Sequence, residues 1–433
     1  MKKLLRKLIP ESAILQYHRA LTWFAAFVYG FPARKLIIIG VTGTKGKTTT
    51  ANFIWSVLMA GEIKTGIITT ANIRIGNEEV MNKYHMTMPG RFVIQKQLRR
   101  MVREGCWTAI VETTSEGLKQ YRHTGVYYDI GVFTNLTPEH LRAHNNSFDE
   151  YREMKGRMFA ALASHTKKIH GAEVEKVIVA NADSEWASYY LGFKADKKIT
   201  YGIEKAADLQ AGDLEESPQG VSFAVGEEKY HINILGGFNV INALPAIAIA
   251  KHLNVSSEMI AKGLENLTLI PGRMEVMNGG QPYTVIVDYA HEKESMTRVL
   301  AAGRGMAGAQ GRVIVLLGAE GGGRDKNKRA HMGELVGKLA DFVVVSNVDP
   351  YEDDPTEIVE DIARVAEANG KTRNENLFVI EDRRAGIAKA LQLAGAGDVV
   401  LITGKGAEQS IVIGGVSAPW DDRVVVREEL RKI

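Results

Sequence analysis

The stretch that decides the fold is Leu36-Ile37-Ile38-Ile39-Gly40-Val41-Thr42-Gly43-Thr44-Lys45-Gly46-Lys47-Thr48-Thr49. Its first part is a β-branched run of the kind that forms a strand buried on both faces. Thr48 to Ala60 then reads as a helix, and the glycine-rich turn between them joins strand to helix. Glycines at such a turn let backbone N–H groups approach phosphate, and the helix N-terminus adds partial positive charge. Lys47 is expected to reach the outer phosphates of a nucleotide, and Thr48 to hold Mg²⁺. The strict Gly-x4-Gly-Lys-Thr spacing is not met, because Val41 stands where its first glycine belongs. An ordinary glycine-rich turn is the competing reading. The strand before it and Gly-Lys-Thr-Thr within it favour a phosphate loop made of Gly43, Thr44, Lys45, Gly46, Lys47, Thr48 and Thr49.

Working outward, short β-rich runs alternate with helical stretches, which predicts parallel α/β sheets. Ala109–Val111, Ile130–Phe133 and Val177–Ala180 read as further buried strands ending in polar residues, where open α/β sheets place their chemistry. Between Leu209 and Leu235 the alternation of Val221-Ser222-Phe223-Ala224-Val225 suggests an antiparallel patch. Phe238–Leu253 is again an apolar helix, and Pro271-Gly272 marks a turn and the expected domain boundary. Beyond it lie five more strands: Val285–Val287, Val313–Leu317, Phe342–Val345, Phe378–Ile380 and Val399–Ile402. The expectation is therefore an α/β protein in three parts. A short basic and apolar N-terminal helix (1–35) precedes a P-loop-ATPase-like parallel-sheet domain (36–270) and a Rossmann-like C-terminal domain (271–433).

Composition excludes several classes. At 433 residues, 45% hydrophobic and 24% charged, the chain fits a globular protein of about two domains. A net charge of +3 without a long basic block gives no reason to expect nucleic acid. The single cysteine, Cys106, excludes an intramolecular disulfide and a Cys-cluster metal site, and fits a cytoplasmic location. Lys2, Lys3, Arg6 and Lys7 precede an apolar run from Ala20 to Phe31 that no cleavage site follows. That run is shorter than the ~20 residues a spanning helix needs. Two readings of residues 1–31 stay open: a helix packed on its own protein, or one lying at the inner membrane surface with its cations toward anionic lipid.

Gly-Thr-Lys-Gly-Lys-Thr-Thr resembles the ATP loop of the Mur ligases, and the similarity continues in order from Leu36 over nearly the whole chain. The resemblance implies roles for residues along both domains. Glu112, in Val111-Glu112-Thr113-Thr114-Ser115, matches the family's Mg²⁺-binding glutamate, and hard oxygen ligands suit that ion. His140, in Thr137-Pro138-Glu139-His140-Leu141, matches a metal-binding histidine; Arg142 replaces the acidic residue usual after it, while His144 is kept. Lys155 aligns with a lysine that many members carry as a carbamate, an anion able to help hold a second Mg²⁺. Lys47, Lys155, Glu112 and His140 are thus the expected catalytic residues. Asn239 and Asn242 match an adenine-side motif, which suits the donor and acceptor of an amide. Arg273 matches a phosphate-contacting arginine, Asp288 a ribose ligand, and His291 lies beside it. Thr87, Asp349, Tyr351, Gly404 and Glu408 are the expected substrate residues, with Glu408 meeting the incoming amine. The cofactors are then ATP and Mg²⁺, and the partners are an amino acid and a peptide- or sugar-linked carboxylate acceptor.

The implied reaction is amide formation through an acyl phosphate on a cell-wall-type, muramyl-peptide-like precursor, with the C-terminal domain closing over the reacting groups. Departures narrow it. Members that add diaminopimelate often carry Asp-Asn-Pro-Arg, whose arginine reads the distal carboxylate. The corresponding Val348-Asp349-Pro350-Tyr351 has a phenol there, which cannot form a bidentate ion pair. Arg373, Arg383 and Arg384 are the cations able to substitute from elsewhere in the domain. Ala407 replaces the histidine of Gly-Lys-Gly-His-Glu. The family's UDP-gripping N-terminal domain does not fit in the residues ahead of Leu36, so either a partner supplies that grip or the acceptor is not a soluble UDP-linked sugar. A poly-γ-glutamate-type or folylpolyglutamate-type ligase, or a non-catalytic nucleotide-binding scaffold, are the alternatives. The second typically reads Gly-Lys-Gly-Ser, unlike Lys47-Thr48-Thr49, and the last is disfavoured by the intact loop.

Overall fold

The computed structural model describes residues 11–433, apart from residues 85, 139, 140, 170, 218, 324 and 325. Lys2, Lys3, Arg6, Lys7 and His140 therefore lie outside the described residues. The chain divides into two compact units, Met1–Thr268 and Leu269–Ile433.

The first unit is built on a mixed, mostly parallel sheet of eleven strands among the described residues. Its centre is the strand Ile37–Thr42, parallel to Thr108–Glu112 on one side and Ile130–Phe133 on the other. Thr65–Ile68 extends the sheet beyond Thr108–Glu112, again parallel. Val177–Asn181 and Lys197–Gly202 extend the other side in the same sense. Central strands with both faces covered read as unbroken apolar runs, and Val177 to Ala180 and Ile38 to Val41 supply them. The expected antiparallel patch is Leu209–Ser217, Gly220–Val225 and Glu228–Ile232, joined to the sheet's edge. The helix after the glycine-rich turn runs Lys47–Ala60 and the later apolar helix Val240–His252. Residues at the carboxyl ends of the parallel strands, among them Gly43, Glu112 and Thr134, consequently share one edge of the sheet.

The N-terminal helix Glu11–Val28 buries Thr22, Ala25 and Ala26 against the unit, near Gly125 and the helix Arg91–Arg103. Its other face is open. No helix among the described residues is long and apolar enough to cross a membrane.

The second unit has a six-stranded sheet in the spatial order Glu275–Met277, Thr284–Asp288, Val399–Thr403, Val313–Leu317, Phe342–Val345 and Leu377–Val379. All neighbours are parallel except the first pair. Its core is aliphatic, with Val285, Val287, Ile314, Leu316, Val344, Val400 and Ile402 fully buried. A hairpin, Ser410–Ile413 with Val416–Pro419, comes after the last strand. Aspartate side chains cap the starts of three of the unit's helices: Asp354 ahead of Pro355–Ala368, Asp382 ahead of Arg383–Leu393 and Asp421 ahead of Asp422–Leu430.

Candidate active site

In the first unit, the turn from Gly43 to Lys47 is clamped by the segment after the strand Ile130–Phe133. Thr44 N donates to Asn135 O (2.9 Å) and Lys45 N to Asn135 Oδ1 (2.8 Å). Thr134 Oγ1 donates to Lys45 O (2.7 Å). Gly46 sits just before the helix with φ 78°, a left-handed conformation that favours glycine. A Cβ there would lie 2.2 Å from Asn242 Oδ1, and one on Gly43 only 1.9 Å from Thr134 Oγ1. The turn thus has no room for side chains at these two positions. Lys47 Nζ folds back onto Thr44 O (2.8 Å). Thr49 is buried in the first helical turn.

Beside the loop is a buried carboxylate held by hydroxyls. Glu112 ends its strand 2% exposed. Its Oε2 accepts from Thr48 Oγ1 (2.9 Å) and Thr70 N (2.8 Å), and its Oε1 from Thr70 Oγ1 (3.1 Å). Thr70 Oγ1 also bonds Thr87 Oγ1 (2.8 Å), which brings Thr87 into the same cluster. This donor set fits Mg²⁺, because a hydroxyl and a carboxylate present hard oxygens next to a loop shaped for phosphates.

Lys155 enters from the helix Phe148–Leu162, whose start is capped by Ser147. Its ammonium is buried, donates to Gly43 O (2.7 Å), and lies 4.5 Å from the Tyr151 ring centroid. Tyr151 OH in turn bonds Thr44 Oγ1 (3.1 Å). His144 is fully buried against Ser115 Oγ (2.9 Å), and desolvation with nearby Lys119 pushes its pKa down to about 4, so it is neutral near pH 7. Asn239 and Asn242 are buried and bonded to each other, Asn242 Nδ2 donating to Asn239 Oδ1 (3.0 Å). Through the close approach of Asn242 to Gly46, the loop, Glu112, Thr87, Lys155 and both asparagines form one neighbourhood.

The second unit gathers the remaining residues. Asp288 ends the strand Thr284–Asp288, and its carboxylate accepts from Met274 N and Ala290 N (both 2.8 Å). Burial pushes that carboxyl up from its ordinary range against the pull of Arg273 and these two amides. His291 Nδ1 donates to Tyr289 O (2.7 Å), and its Nε2 lies 4.0 Å from Glu292 Oε1. The Arg273 guanidinium stands 4.5 Å over the Tyr289 ring, and Tyr289 OH donates to Glu408 Oε1 (3.2 Å). Lys405, fully buried, donates to Glu408 Oε2 (2.8 Å) and Asp349 Oδ2 (2.7 Å). Burial raises the Glu408 carboxyl, with Lys405 opposing. Gly404 N donates to Asp288 O (3.2 Å). Tyr351 is bonded to the hairpin through its N–H to Val412 O (3.2 Å), holds φ 54°, and packs its ring against Gly322.

The three arginines named as substitute carboxylate readers are committed elsewhere. Arg383 and Asp422 form a fully buried bidentate pair (2.8 and 2.7 Å), and Arg383 also bonds Asn347 O and Thr403 O. Arg384 pairs with Glu428 and Glu429, and Arg373 with Glu360 and Glu367. Arg383 and Arg384 find their acids on the helix Asp422–Leu430 packed against their own, and Arg373 folds back onto the helix Pro355–Ala368 that precedes it. Four contributors escaped the sequence reading: Thr70, Tyr151, Tyr289 and Lys405. A signal existed for Lys405, flanked by two glycines in Gly404-Lys405-Gly406, and for Thr70, which lies just beyond a buried strand.

Residues 41–250 match the family model of the Mur ligase middle domain, and residues 272–406 that of the Mur ligase glutamate ligase domain. A UDP-N-acetylmuramyl-tripeptide synthetase from Roseiflexus sp. (strain RS-1) is 36% identical over 433 residues, covering 98% of this chain and 84% of that protein. A UDP-N-acetylmuramoyl-L-alanyl-D-glutamate–2,6-diaminopimelate ligase from Bacillus cereus is also 36% identical, over 98% of this chain and 84% of its own. A solved structure of a ligase with that name superposes with a TM-score of 0.61 at 28% identity, over 92% of this chain and 78% of that one.

Proposed function

The chain belongs to the Mur ligase family of ATP-dependent amide-forming ligases, and we propose that it joins an amino-acid amine to a carboxylate of a muramyl-peptide-like precursor in peptidoglycan synthesis. The observation that carries this reading is the convergence of Lys47, the Thr48–Glu112 pair and Lys155 on one phosphate loop whose glycines leave no room for side chains. The loop amides and Lys47 bind and orient the ATP phosphates, with Lys47 leaving Thr44 O to meet the charge that spreads as the γ-phosphoryl moves. Phosphoryl transfer to the acceptor carboxylate releases ADP. Attack by the amine on the acyl carbon then expels phosphate, with the amine proton lost. Mg²⁺ held by Thr48 and Glu112 would neutralise phosphate charge when bound, and a carbamate on Lys155 would add an anionic ligand. Asn239 and Asn242 are assigned to the adenine side, and Arg273, Asp288 and His291 to phosphate and ribose. Glu408, held by Lys405 and Tyr289, receives the incoming amine.

For the amino acid, Tyr351 and the paired state of Arg373, Arg383 and Arg384 favour substrates without a distal carboxylate. The reaction is placed in the cytoplasm, at the inner face of the membrane where the acceptor is lipid-linked. The test is ADP release with a full amino-acid panel against UDP-linked and lipid-linked acceptors, then competition between diaminopimelate, lysine and small neutral amino acids. Lysine or a neutral residue should be used at least as well as diaminopimelate. Strong selection of diaminopimelate that survives Tyr351→Phe would overturn the specificity, and no ADP release with any pair would overturn the reaction.

A further inference from the structure

The outer face of the N-terminal helix is aromatic, and the surface beside it is basic. Trp23, Phe24 and Phe27 are 52%, 50% and 57% exposed, in a helix whose opposite side, Thr22, Ala25 and Ala26, is fully buried. Large aromatic side chains left this open on one stripe mark an interaction surface. Trp23 stacks on Phe27, and both meet Phe31 edge-on, so the stripe is one cluster. It continues onto the neighbouring helix Arg91–Arg103, where Phe92 contacts Phe24 edge-on.

That second helix decides the partner. It carries five cations, Arg91, Lys96, Arg99, Arg100 and Arg103, and no acidic residue. Arg100 is paired with Glu78 (2.5 Å), whereas Lys96, Arg99 and Arg103 recur at helical spacing from Phe92 and reach solvent. Residues 1–35 add Lys2, Lys3, Arg6, Lys7, Arg19, Arg34 and Lys35 against a single acid, Glu11. Arg34 lies over the Phe31 and Tyr127 rings at the stripe's end. Tryptophan and phenylalanine beside a field of one sign are the composition of a segment lying in a bilayer interface, with rings at the acyl boundary and cations at the headgroups. A protein groove would take the rings but gives no reason for so one-sided a charge.

We propose that Trp23, Phe24, Phe27 and Phe92, with Lys96, Arg99 and Arg103, form a docking surface for an anionic lipid bilayer. The surface holds the first unit at the membrane without crossing it. It is independent of the ligase assignment, since none of these residues belongs to the nucleotide loop or its neighbours.

The test is vesicle co-sedimentation of the full chain, with neutral phosphatidylcholine vesicles or vesicles containing phosphatidylglycerol. Wild type should bind the anionic vesicles, bind neutral ones far less, and lose binding as salt is raised. The triple substitution Trp23→Ser, Phe24→Ser, Phe27→Ser and, separately, Lys96→Glu, Arg99→Glu, Arg103→Glu should each weaken binding by at least about tenfold. Both should keep wild-type melting and ATP turnover with a soluble acceptor. If the serine triple melts early, Trp23→Ser alone replaces it. Equal binding to both vesicle types, no binding to either, or undiminished binding by both variants would overturn the proposal. A dimer that the serine triple dissolves, without vesicle binding, would also overturn it and assign the stripe to a second copy of the chain.

Discussion

Replacing Gly46 by alanine separates backbone cost from contact cost at the nucleotide loop. Gly46 holds φ 78°, and left-handed backbone costs an L-residue about 1–2 kcal/mol. The added methyl would lie 2.2 Å from Asn242 Oδ1, so Asn242 must withdraw and give up its bond to Asn239 Oδ1. A buried amide left unpaired costs about 1–3 kcal/mol. Together the two effects amount to about 2–5 kcal/mol. Gly105→Ala is the control, because Gly105 has φ 73° and no heavy atom within 4 Å of where its Cβ would lie. It should cost only the backbone share, about 1–2 kcal/mol. Urea unfolding gives both costs, and titration with a fluorescent ATP analogue gives affinity. Gly105→Ala should bind nucleotide as wild type does, whereas Gly46→Ala should lose at least about tenfold, the equivalent of about 1.4 kcal/mol. Equal destabilisation by the two substitutions, with nucleotide affinity unchanged in both, would refute the loop geometry as the nucleotide cradle.

Lys155→Ala should lower ligation by about a hundredfold or more, and short-chain carboxylic acids should restore part of it by returning an anion to the site; steady-state kinetics with and without acetate checks both. Asp422→Asn should destabilise the second unit by about 3–5 kcal/mol, because it leaves the fully buried Arg383 without its counter-charge; denaturant melts measure this. Tyr289→Phe keeps the ring under Arg273 but removes the hydroxyl that holds Glu408. It should raise the KM for the amino acid roughly fivefold, the worth of one hydrogen bond, while the KM for ATP stays put.

The α/β class was legible because buried parallel strands announce themselves. Ile37–Val41, Val313–Leu317 and Val399–Ile402 are uninterrupted apolar runs bounded by turn residues. Much of the candidate site was legible for a related reason, since polar residues directly after such runs fall on one sheet edge. Partnership was not legible. Thr70 reaches Glu112 only because Thr65–Ile68 pairs with Thr108–Glu112, a contact between segments about forty residues apart. Arg383 reads as a spare cation until packing of Arg383–Leu393 against Asp422–Leu430 supplies Asp422. Lys405 likewise gains its two carboxylates from the loop that follows Phe342–Val345 and from its own loop.

Formation of an amide bond in step with ATP cleavage is the most direct test of the ligase mechanism. Purified protein is given ATP, Mg²⁺, an amino acid and a muramyl-dipeptide acceptor, and product mass is read alongside ADP and phosphate. The expected result is a product heavier by one amino-acid residue, with one ADP and one phosphate per bond. Lys47→Ala should abolish that product while leaving the melting curve unchanged. ATP cleavage without any amide product across the amino-acid panel, or near-normal product from Lys47→Ala, would contradict the mechanism.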